Sequence, residues 1–586
     1  MTVRSKRPVI SLRNTLAVLL SLACLATRAQ SYYDGLRICW DYRTQNFLCP
    51  GVYSRLKPLS DGSLALVYNA NRAIWIRLNR GGQWDEAIKV SADPAGQYDY
   101  TNSELLELAD GRLMYAWNAR ALGGTNQPYK IMAAYSADRG RTWHGEQTLY
   151  VAGHEWTDGC WEPSMMQLPV QVPEIPENPE VPASGEVQLF FANEHNIADN
   201  RQNITLLRSL DNCKTWQDPV VVSFRPTSRD GMPVPLCLQD GKGLVIAIED
   251  NGLNGNFKPV IIHSTMADNW RAGTVGGSSD HRWSALSPTD SLASAVYAGA
   301  PYLIQLRSGE TLLSCQSSEG RKSPDFPIMQ TYVGNSEARD FCCRSTPFPF
   351  IGEEDTRVQW CALAQTDDST VMATASVSNR KTQNGIWLAT GHLYLPLRVL
   401  QAKDFAANWA QYDPGFFIGG ASQAQACIRA AWNKDSLYFH FQVSDEHIVH
   451  APEGCVPWDS DAVEVCLDYG RRGGEQVDKG MFRLLVNVKG ELIAQAGAEG
   501  AWHPWTTHAR RTVSPTYDGY NVLLSVPWSD LGGLPRKKAI HLCFSLHNND
   551  NGPFVVHENM SGGNPDRPLT WMRCRFYWFT IPPLRF

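Results

Sequence analysis

After its first thirty or so residues the chain is written in short apolar runs, many alternating with polar residues at a period of two. They are separated by Gly, Asp, Asn and Pro, and no long stretch has helical spacing. That texture predicts strands joined by tight turns. The separators repeat. Leu59-Ser60-Asp61-Gly62-Ser63-Leu64 and Leu108-Ala109-Asp110-Gly111-Arg112-Leu113 are two copies of an L-x-D-G-x-L turn, with looser copies at Leu238–Gly241 and Leu306–Leu312. Gly between two apolar runs is a hairpin signal, because it supplies the positive φ that the turn needs. A second box interleaves with the first. Ser136–Trp143 reads S-x-D-x-G-x-T-W, Ser209–Trp216 repeats it with Cys213 in place of glycine, and Leu78–Trp84 and Ser264–Trp270 are decayed copies. In such a box Asp caps the turn's N–H groups and Trp packs into the sheet, so the box marks a fold and not a site.

The box resembles the Asp-box of sialidase-like propellers. At this spacing it implies six blades, and residues 30–398 are expected to form a six-bladed β-propeller. The Pro-rich acidic stretch Pro169–Pro182 reads as a surface hairpin insertion. After about residue 399 the texture changes. Cys427–Asp445 reads as two strands around a polar turn, and Trp458–Asp468 as another strand. The fold class is therefore all-β, with a β-sandwich expected over 399–586.

Composition adds little to this except at the ends of the scale. With 43% hydrophobic residues the chain of 586 can fill large cores, and a net charge of -6 provides no field to recruit nucleic acid or an anionic membrane. The 20 tryptophans suit sugar stacking as well as sheet cores. At the N-terminus Arg4, Lys6, Arg7 and Arg13 precede the apolar run Leu16–Ala26, and Thr27-Arg28-Ala29 offers a cleavage site. Residues 1–29 are read as a secretory signal, which predicts a secreted, periplasmic or cell-surface protein. Cys24 follows Ser21-Leu22-Ala23, a weak lipid-attachment pattern. Of 15 cysteines 14 lie beyond it, scattered, with one or two pairs expected to bridge. His154, His195, His263 and His281 lack ligand spacing, no nucleophile elbow occurs, and a monomer is expected.

Two acids are placed for chemistry. Glu162 stands between Trp161 and Pro163, which restrict its backbone and its hydration. Glu249 ends the apolar run Leu244–Ile248 and should emerge at a strand end. Glycoside cleavage needs two flanking carboxyls, one ionised and one protonated, and an apolar neighbour such as Trp161 raises a carboxyl pKa. On spacing alone, a structural cap or salt-bridge role for either is the commoner outcome.

The ordered set Asn102, Leu105–Gly111, Asn118-Ala119-Arg120, the Ser136 box, Trp161-Glu162-Pro163, Phe190–Glu194, Gly231-Met232-Pro233, Ile248-Glu249 and Gly299–Tyr302 resembles the exo-α-1,5-arabinanases of glycoside hydrolase family 93. That resemblance implies a six-bladed propeller that releases arabinobiose with retention, with Glu162 and Glu249 as the catalytic pair. Which is nucleophile stays open, with Glu162 favoured. Arg55, Asn102, Arg120, Trp161, Glu194, Arg229 and Tyr302 are the expected substrate contacts. Ala192-Asn193 departs from the small polar pair expected before the acid. An exo-sialidase is the competing enzyme; it needs three converging arginines, for which Arg55, Arg120, Arg229, Arg307, Arg321 and Arg339 are available. A non-catalytic glycan-binding propeller is the third reading. The C-terminal part is similar to family-9 carbohydrate-binding modules, through Ala430-Ala431-Trp432 to Asp445 and Trp458-Asp459-Ser460-Asp461-Ala462-Val463-Glu464-Val465. The resemblance implies a sugar clamp of Trp458 and Trp571, with Trp502 and Trp505 as substitutes. The partner is then a polysaccharide or oligosaccharide. No cofactor or catalytic metal is expected, and a structural Ca²⁺ is possible at Asp445, Asp459 and Asp461.

Overall fold

The computed structural model describes residues 35–577 except 170–184, 196, 198–200, 351–352, 382, 395–396, 402–415, 420–423, 471–472, 536–538, 551–555 and 560–562. The export signal, Cys24 and nearly all of the Pro169–Pro182 insertion lie outside the described residues. Within them the regular structure is strand, with a few three-residue 3-10 turns such as Trp156–Asp158, and no helix is long and apolar enough to cross a membrane.

Between Arg37 and Tyr394 six antiparallel sheets succeed one another. Their first strands are Val52–Pro58, Tyr98–Glu107, Cys160–Gln167, Asp230–Cys237, Ala298–Gln305 and Arg357–Asp367. Each first strand packs against the first strand of the next sheet, and the sixth returns to the first. The sixth sheet takes its outermost strand from the start of the chain: Arg37–Cys49 pairs with Gly385–Tyr394, Arg37 opposite Tyr394 and Cys49 opposite Ile386. The two ends of the run are thus hydrogen-bonded into one sheet, and the circuit closes. Burial falls outward. Second strands such as Leu64–Ala70 and Val187–Asn193 are covered on both faces, which is why they are mostly apolar, with Asn69, Gln188 and Asn193 the exceptions. The fourth strand His144–Val151 is largely exposed.

The repeated turns take up the two kinds of connection. The L-x-D-G turns join first to second strands. Leu59 N–H donates to Ser63 O at 2.8 Å and Gly62 N–H to Leu59 O at 3.0 Å, and Leu108, Leu238 and Leu306 repeat this. Their glycines all have positive φ, from 68° at Gly241 to 106° at Gly309. The Ser136, Ser209 and Ser264 boxes join third to fourth strands. In the first, Gly140 N–H donates to Ser136 Oγ at 2.8 Å and Thr142 N–H to Asp138 Oδ1 at 2.8 Å. In the second, Cys213 takes the glycine's place at φ 69° and its N–H donates to Ser209 Oγ at 2.8 Å.

From Leu397 to Tyr577 the described residues form one 13-stranded sheet, 11 strands on a single hydrogen-bonded path and two, Phe416–Gly419 and Val556–Asn559, pairing beside it. Leu397–Gln401 links its two halves by running parallel to both Met572–Tyr577 and Ala424–Trp432. Side chains from both halves, Phe416, Trp432, Phe439, Phe441, Phe544 and Trp571 among them, share one core. This unit meets the six sheets through Gln425 Nε2, which donates to Asp41 Oδ1 at 3.1 Å, and through Arg43, stacked 4.5 Å from the Phe417 ring. Leaving Cys39 and Cys427 aside, the described cysteines are free thiols rather than the expected bridges, and most are buried as small apolar groups.

Candidate functional site

The six first strands begin alike. On each, three residues advance while the partner strand advances two: Val52/Asn69 to Arg55/Val67, Thr101/Asn118 to Glu104/Ala116, Trp161/Ala192 to Ser164/Phe190, Gly231/Glu249 to Val234/Ala247, Gly299/Gln316 to Tyr302/Ser314, and Gln359/Ser376 to Ala362/Thr374. The extra residue makes a bulge. The residue that absorbs it is left-handed and never glycine: Tyr53, Asn102, Glu162, Met232, Ala300 and Trp360, with φ between 47° and 56°. A left-handed non-glycine residue costs about 1–2 kcal/mol, so the six bulges are held against strain. Tyr53, Met232 and Ala300 touch one another, and Trp360 packs against them. Four of the six are buried, and only Glu162 and Trp360 keep appreciable exposure. The accessible part of the ring is therefore a carboxyl and an indole.

A second repeated position holds the bulges in place. It lies on the second strand, opposite the residue before each left-handed one, and is occupied by Asn69, Asn118, Ala192, Glu249, Gln316 and Ser376. Ser376 Oγ accepts the Tyr53 N–H at 2.7 Å, Gln316 Oε1 the Trp360 N–H at 2.9 Å, and Glu249 Oε2 the Ala300 N–H at 2.7 Å. Asn118 Nδ2 donates to Cys160 O at 2.8 Å. Neutral groups do this work at other sheets, so the charge of Glu249 is not required by the cap. Glu249 lies inside Gly243–Asn254 rather than at a strand end, and it reaches the centre because its partner Gly231 immediately precedes the bulge. Its carboxyl is wedged between two glycines. A Cβ on Gly231 would come within 3.1 Å of Oε1, and one on Gly299 would run into Oε2 and, at 2.6 Å, Tyr297 Oη.

Burial raises the carboxyl of Glu162 to about 7; Arg120 opposes the rise, and the charges of Glu249 and Glu194 add to it. Glu249 is also raised by burial, offset by the Ala300 N–H and by Arg229. Glu194 is raised by burial too, while accepting from Trp161 Nε1 at 3.1 Å and pairing with Arg229 Nη2 at 2.5 Å. Arg120 is held by neutral partners, donating to Asn118 Oδ1 at 2.9 Å and Asn102 Oδ1 at 2.5 Å, so its charge is left to act on Glu162.

Of the expected contacts, Asn102, Arg120, Trp161, Glu194 and Arg229 gather around Glu162 and Glu249. Arg55 and Tyr302 lie beneath them, Arg55 stacking 4.1 Å from the Tyr53 ring and donating to Trp360 O at 3.3 Å. Each lies two residues past a bulge, in a buried layer with Glu104 and Ser164. Arg55 Nε is 3.9 Å from Glu104 Oε2, its guanidinium lies 5.1 Å from the Tyr302 ring, and Ser164 Oγ donates to Glu104 at 3.4 Å. The rise along the strand drives this: two residues on is a step of about 6–7 Å, which carries the side chain into the layer below the ring. Tyr53, Met232, Ala300 and Trp360 were missed. Their signal was the step of a small residue or proline after each left-handed one: Ser54, Ser103, Pro163, Pro233, Pro301 and Cys361. The other arginines are engaged elsewhere. Arg307 pairs with Asp368 at 2.9 Å, Arg321 binds the carbonyls of Phe326, Glu353, Glu354 and Thr356, and Arg339 stacks on Trp283 at 3.5 Å.

In the C-terminal unit Trp458 is 40% exposed, on the turn Pro457–Asp459. Trp571 is a correction: its ring is fully buried and its Nε1 donates to Asn564 O at 2.8 Å, which leaves no face for a sugar. Trp502 lies parallel to Trp571 with centroids 6.4 Å apart, and Trp505 packs on Phe482 at 4.6 Å, both partly exposed. Carboxylates of Asp445, Asp461 and Asp550 offer oxygens within 4.8 Å of one another. Asp445 Oδ2 and Asp550 Oδ1 are buried without a hydrogen-bond partner, and hard oxygen donors of this kind fit Ca²⁺. Asp459 is not part of the group; it accepts the Val456 N–H at 3.2 Å.

Residues 409–564 match the model of the carbohydrate family 9 binding domain-like family. Among solved structures, the chain is similar to a family-9 carbohydrate-binding module from Caldicellulosiruptor kristjanssonii in complex with glucose, at 18% identity over 32% of this chain and 99% of that one, TM-score 0.27. It is also similar to the family-93 α-L-arabinofuranosidase of Fusarium graminearum in complex with arabinobiose, at 17% identity over 59% and 96% of the two chains, TM-score 0.45. A third is the Penicillium chrysogenum α-L-arabinanase complexed with arabinobiose, at 14% identity over 61% and 97%, TM-score 0.42. Among curated proteins none matches the chain.

The Glu162 environment has a consequence for stability. A carboxyl raised in the folded state binds a proton there that the unfolded chain has already lost, so stability falls as pH rises from about 4.5 to about 7. Glu162→Gln removes that fall. In urea titrations the variant should be the more stable protein above pH 7, with the gap closing towards pH 5. A variant less stable than wild type at pH 8 would contradict the environment described here.

Proposed function

We propose that this protein is a secreted, retaining exo-glycosidase acting on α-L-arabinan or a related pectic side chain. In this reading the six sheets are the blades of a six-bladed propeller over residues 30–398. Residues 399–586 form a β-sandwich that keeps the enzyme on its polymer through Trp458. The monomer is exported by residues 1–29 to the periplasm, cell surface or medium, and a lipid on Cys24 is one mode of retention.

One observation carries the reading. Two carboxyls, Glu162 and Glu249, occupy ring positions that the fold fills elsewhere with neutral groups, and the charge of Glu249 raises Glu162. A pair whose environments differ is what glycoside cleavage needs. Glu162, raised to about 7, is the proton donor to the leaving oxygen. Glu249, held by the Ala300 N–H, is the ionised partner that attacks the anomeric carbon. Water then attacks that carbon and displaces the Glu249 carboxylate, while Glu162, now ionised, takes the water's proton. Arg120 keeps Glu162 from rising further, and Glu194 with Arg229 fixes the Trp161 wall. The roles are the reverse of the assignment the sequence favours.

An exo-sialidase is supported by one feature, Tyr297 Oη beside Glu249, both of them within 2.6 Å of the point a Cβ on Gly299 would occupy, as a Tyr–Glu pair would require. Against it, Arg307, Arg321 and Arg339 are engaged away from Glu162 and Arg55 is buried, so three arginines do not converge. A structural Ca²⁺ at Asp445, Asp461 and Asp550 would pin Val449 and Asn549, whose N–H groups donate to Asp461 at 2.6 and 2.8 Å, next to the loop that carries Trp458.

Purified protein given linear arabinan should release a short arabino-oligosaccharide, and Glu162→Gln and Glu249→Gln should each lose about 10²–10⁴-fold in kcat. The alkaline limb of the wild-type rate profile should fall near pH 7. Sialic acid released from sialyl-lactose would replace this reading with the second one. Chelation should lower Tm, with Ca²⁺ restoring it, and a Tm indifferent to both would remove the calcium site.

A further inference from the structure

Trp156 is 60% exposed, while the aromatic residues it touches, Trp161 and Tyr129, are buried. It sits on the 3-10 turn Trp156–Asp158, immediately before the strand that carries Trp161 and Glu162. A single exposed apolar side chain needs no explanation in itself. Trp156 differs because it continues the wall of the site. Its ring centroid is 4.6 Å from that of Trp161 and 6.3 Å from that of Tyr129, and the Arg120 guanidinium lies 5.6 Å from Trp156 and 5.1 Å from Trp161. One aromatic surface therefore runs from beside Glu162 out to solvent.

The turn is also pinned. Gly153 N–H donates to Asp158 O at 2.8 Å, Asp158 N–H to Glu155 O at 3.0 Å, and Tyr129 and Gly153 exchange backbone bonds with the flanking chain. The Asp158 carboxylate meets His195 Nδ1 at 3.0 Å. Room at Gly153 is set by the Asp158 side chain and at Gly159 by the Trp161 ring, so both glycines serve close packing. The indole is thus presented by an ordered scaffold.

We propose that the outer face of Trp156 is a sugar-stacking subsite that takes the ring next to the one held at Glu162. The ligand class is a saccharide chain whose ring presents a C–H face, the geometry an exposed indole recognises, with Arg120 and the Asp158–His195 pair at hand for its hydroxyls. The inference rests on the glycosidase reading and names one determinant of its substrate length. A substrate of one sugar unit cannot reach Trp156, whereas a chain can.

The test uses the full-length protein with Trp156→Ala, Trp156→Phe and, as a control, Tyr517→Ala, which removes a fully exposed aromatic on another face. Rates are measured on linear arabino-oligosaccharides of increasing length and on an aryl arabinofuranoside. Trp156→Ala should raise KM about 5–20-fold on the longer chains, with the penalty growing with length. Trp156→Phe should recover most of the loss, and Tyr517→Ala should match wild type. In a Glu162→Gln background, the tryptophan fluorescence change on titrating the longest oligosaccharide should disappear with Trp156→Ala. If wild type is active and Trp156→Ala shows the same dependence on chain length, the subsite is wrong and the glycosidase reading stands. If wild type neither cleaves nor binds any of these sugars or sialyl-lactose, both fall.

Discussion

Everything at the centre of this molecule depends on one backbone constraint, the bulge that opens each of the six first strands. A strand that must start close to its neighbours around a ring cannot keep its ladder register there, and one residue is turned into the left-handed region to absorb the excess. Done with glycine this would be inexpensive. Here it is done with Tyr, Asn, Glu, Met, Ala and Trp, and each N–H freed by the turn needs an acceptor. The side chain on the preceding sheet's second strand supplies it at Tyr53, Ala300 and Trp360. The same device that closes the ring therefore aims six side chains at one place, and a second set of groups between adjacent sheets.

Chemistry is then a matter of which of these positions carry charge. Glu162 fills a bulge position and Glu249 a stitching position, and the fold's own requirement is met elsewhere by uncharged residues. The surroundings treat the two unequally. Glu162 sees two other acids and an Arg120 tied to asparagines, whereas Glu249 receives an N–H that favours its ionised form. Behind them, Arg282 bridges Asp230 and Asp250, the residues flanking Gly231 and Glu249, all nearly excluded from water. Breaking such a pair strands a buried charge, so the strands that carry Glu249 and Met232 are fixed firmly.

Much of this was legible in the residues. The turns were, because Asp-Gly and the serine–aspartate boxes have local causes that tertiary structure did not override. Trp161-Glu162-Pro163 and Gly231-Met232-Pro233 stood out for a related reason: proline after the left-handed residue donates no ladder bond, which a bulge tolerates. What could not be read was equivalence. Nothing local says that Tyr53, Asn102 and Trp360 occupy the position of Glu162, since the match is one of register between strands far apart in the chain. Arg55 and Tyr302 were misplaced by the same ignorance of register, and Trp571 because burial of an indole depends on the layer above it. Trp156 drew no notice, being an isolated aromatic in a loop until Trp161 and Arg120 are placed beside it.

The most direct test of the proposed chemistry is to treat the protein with an activated 2-deoxy-2-fluoro arabinofuranoside and look for a modified peptide by mass spectrometry. An ionised Glu249 facing a protonated Glu162 predicts a covalent sugar on Glu249, formed faster below pH 7 than above it. Label on Glu162 would reverse the two roles. Stoichiometric turnover with an inverted product and no labelled peptide would contradict the account of the pair altogether.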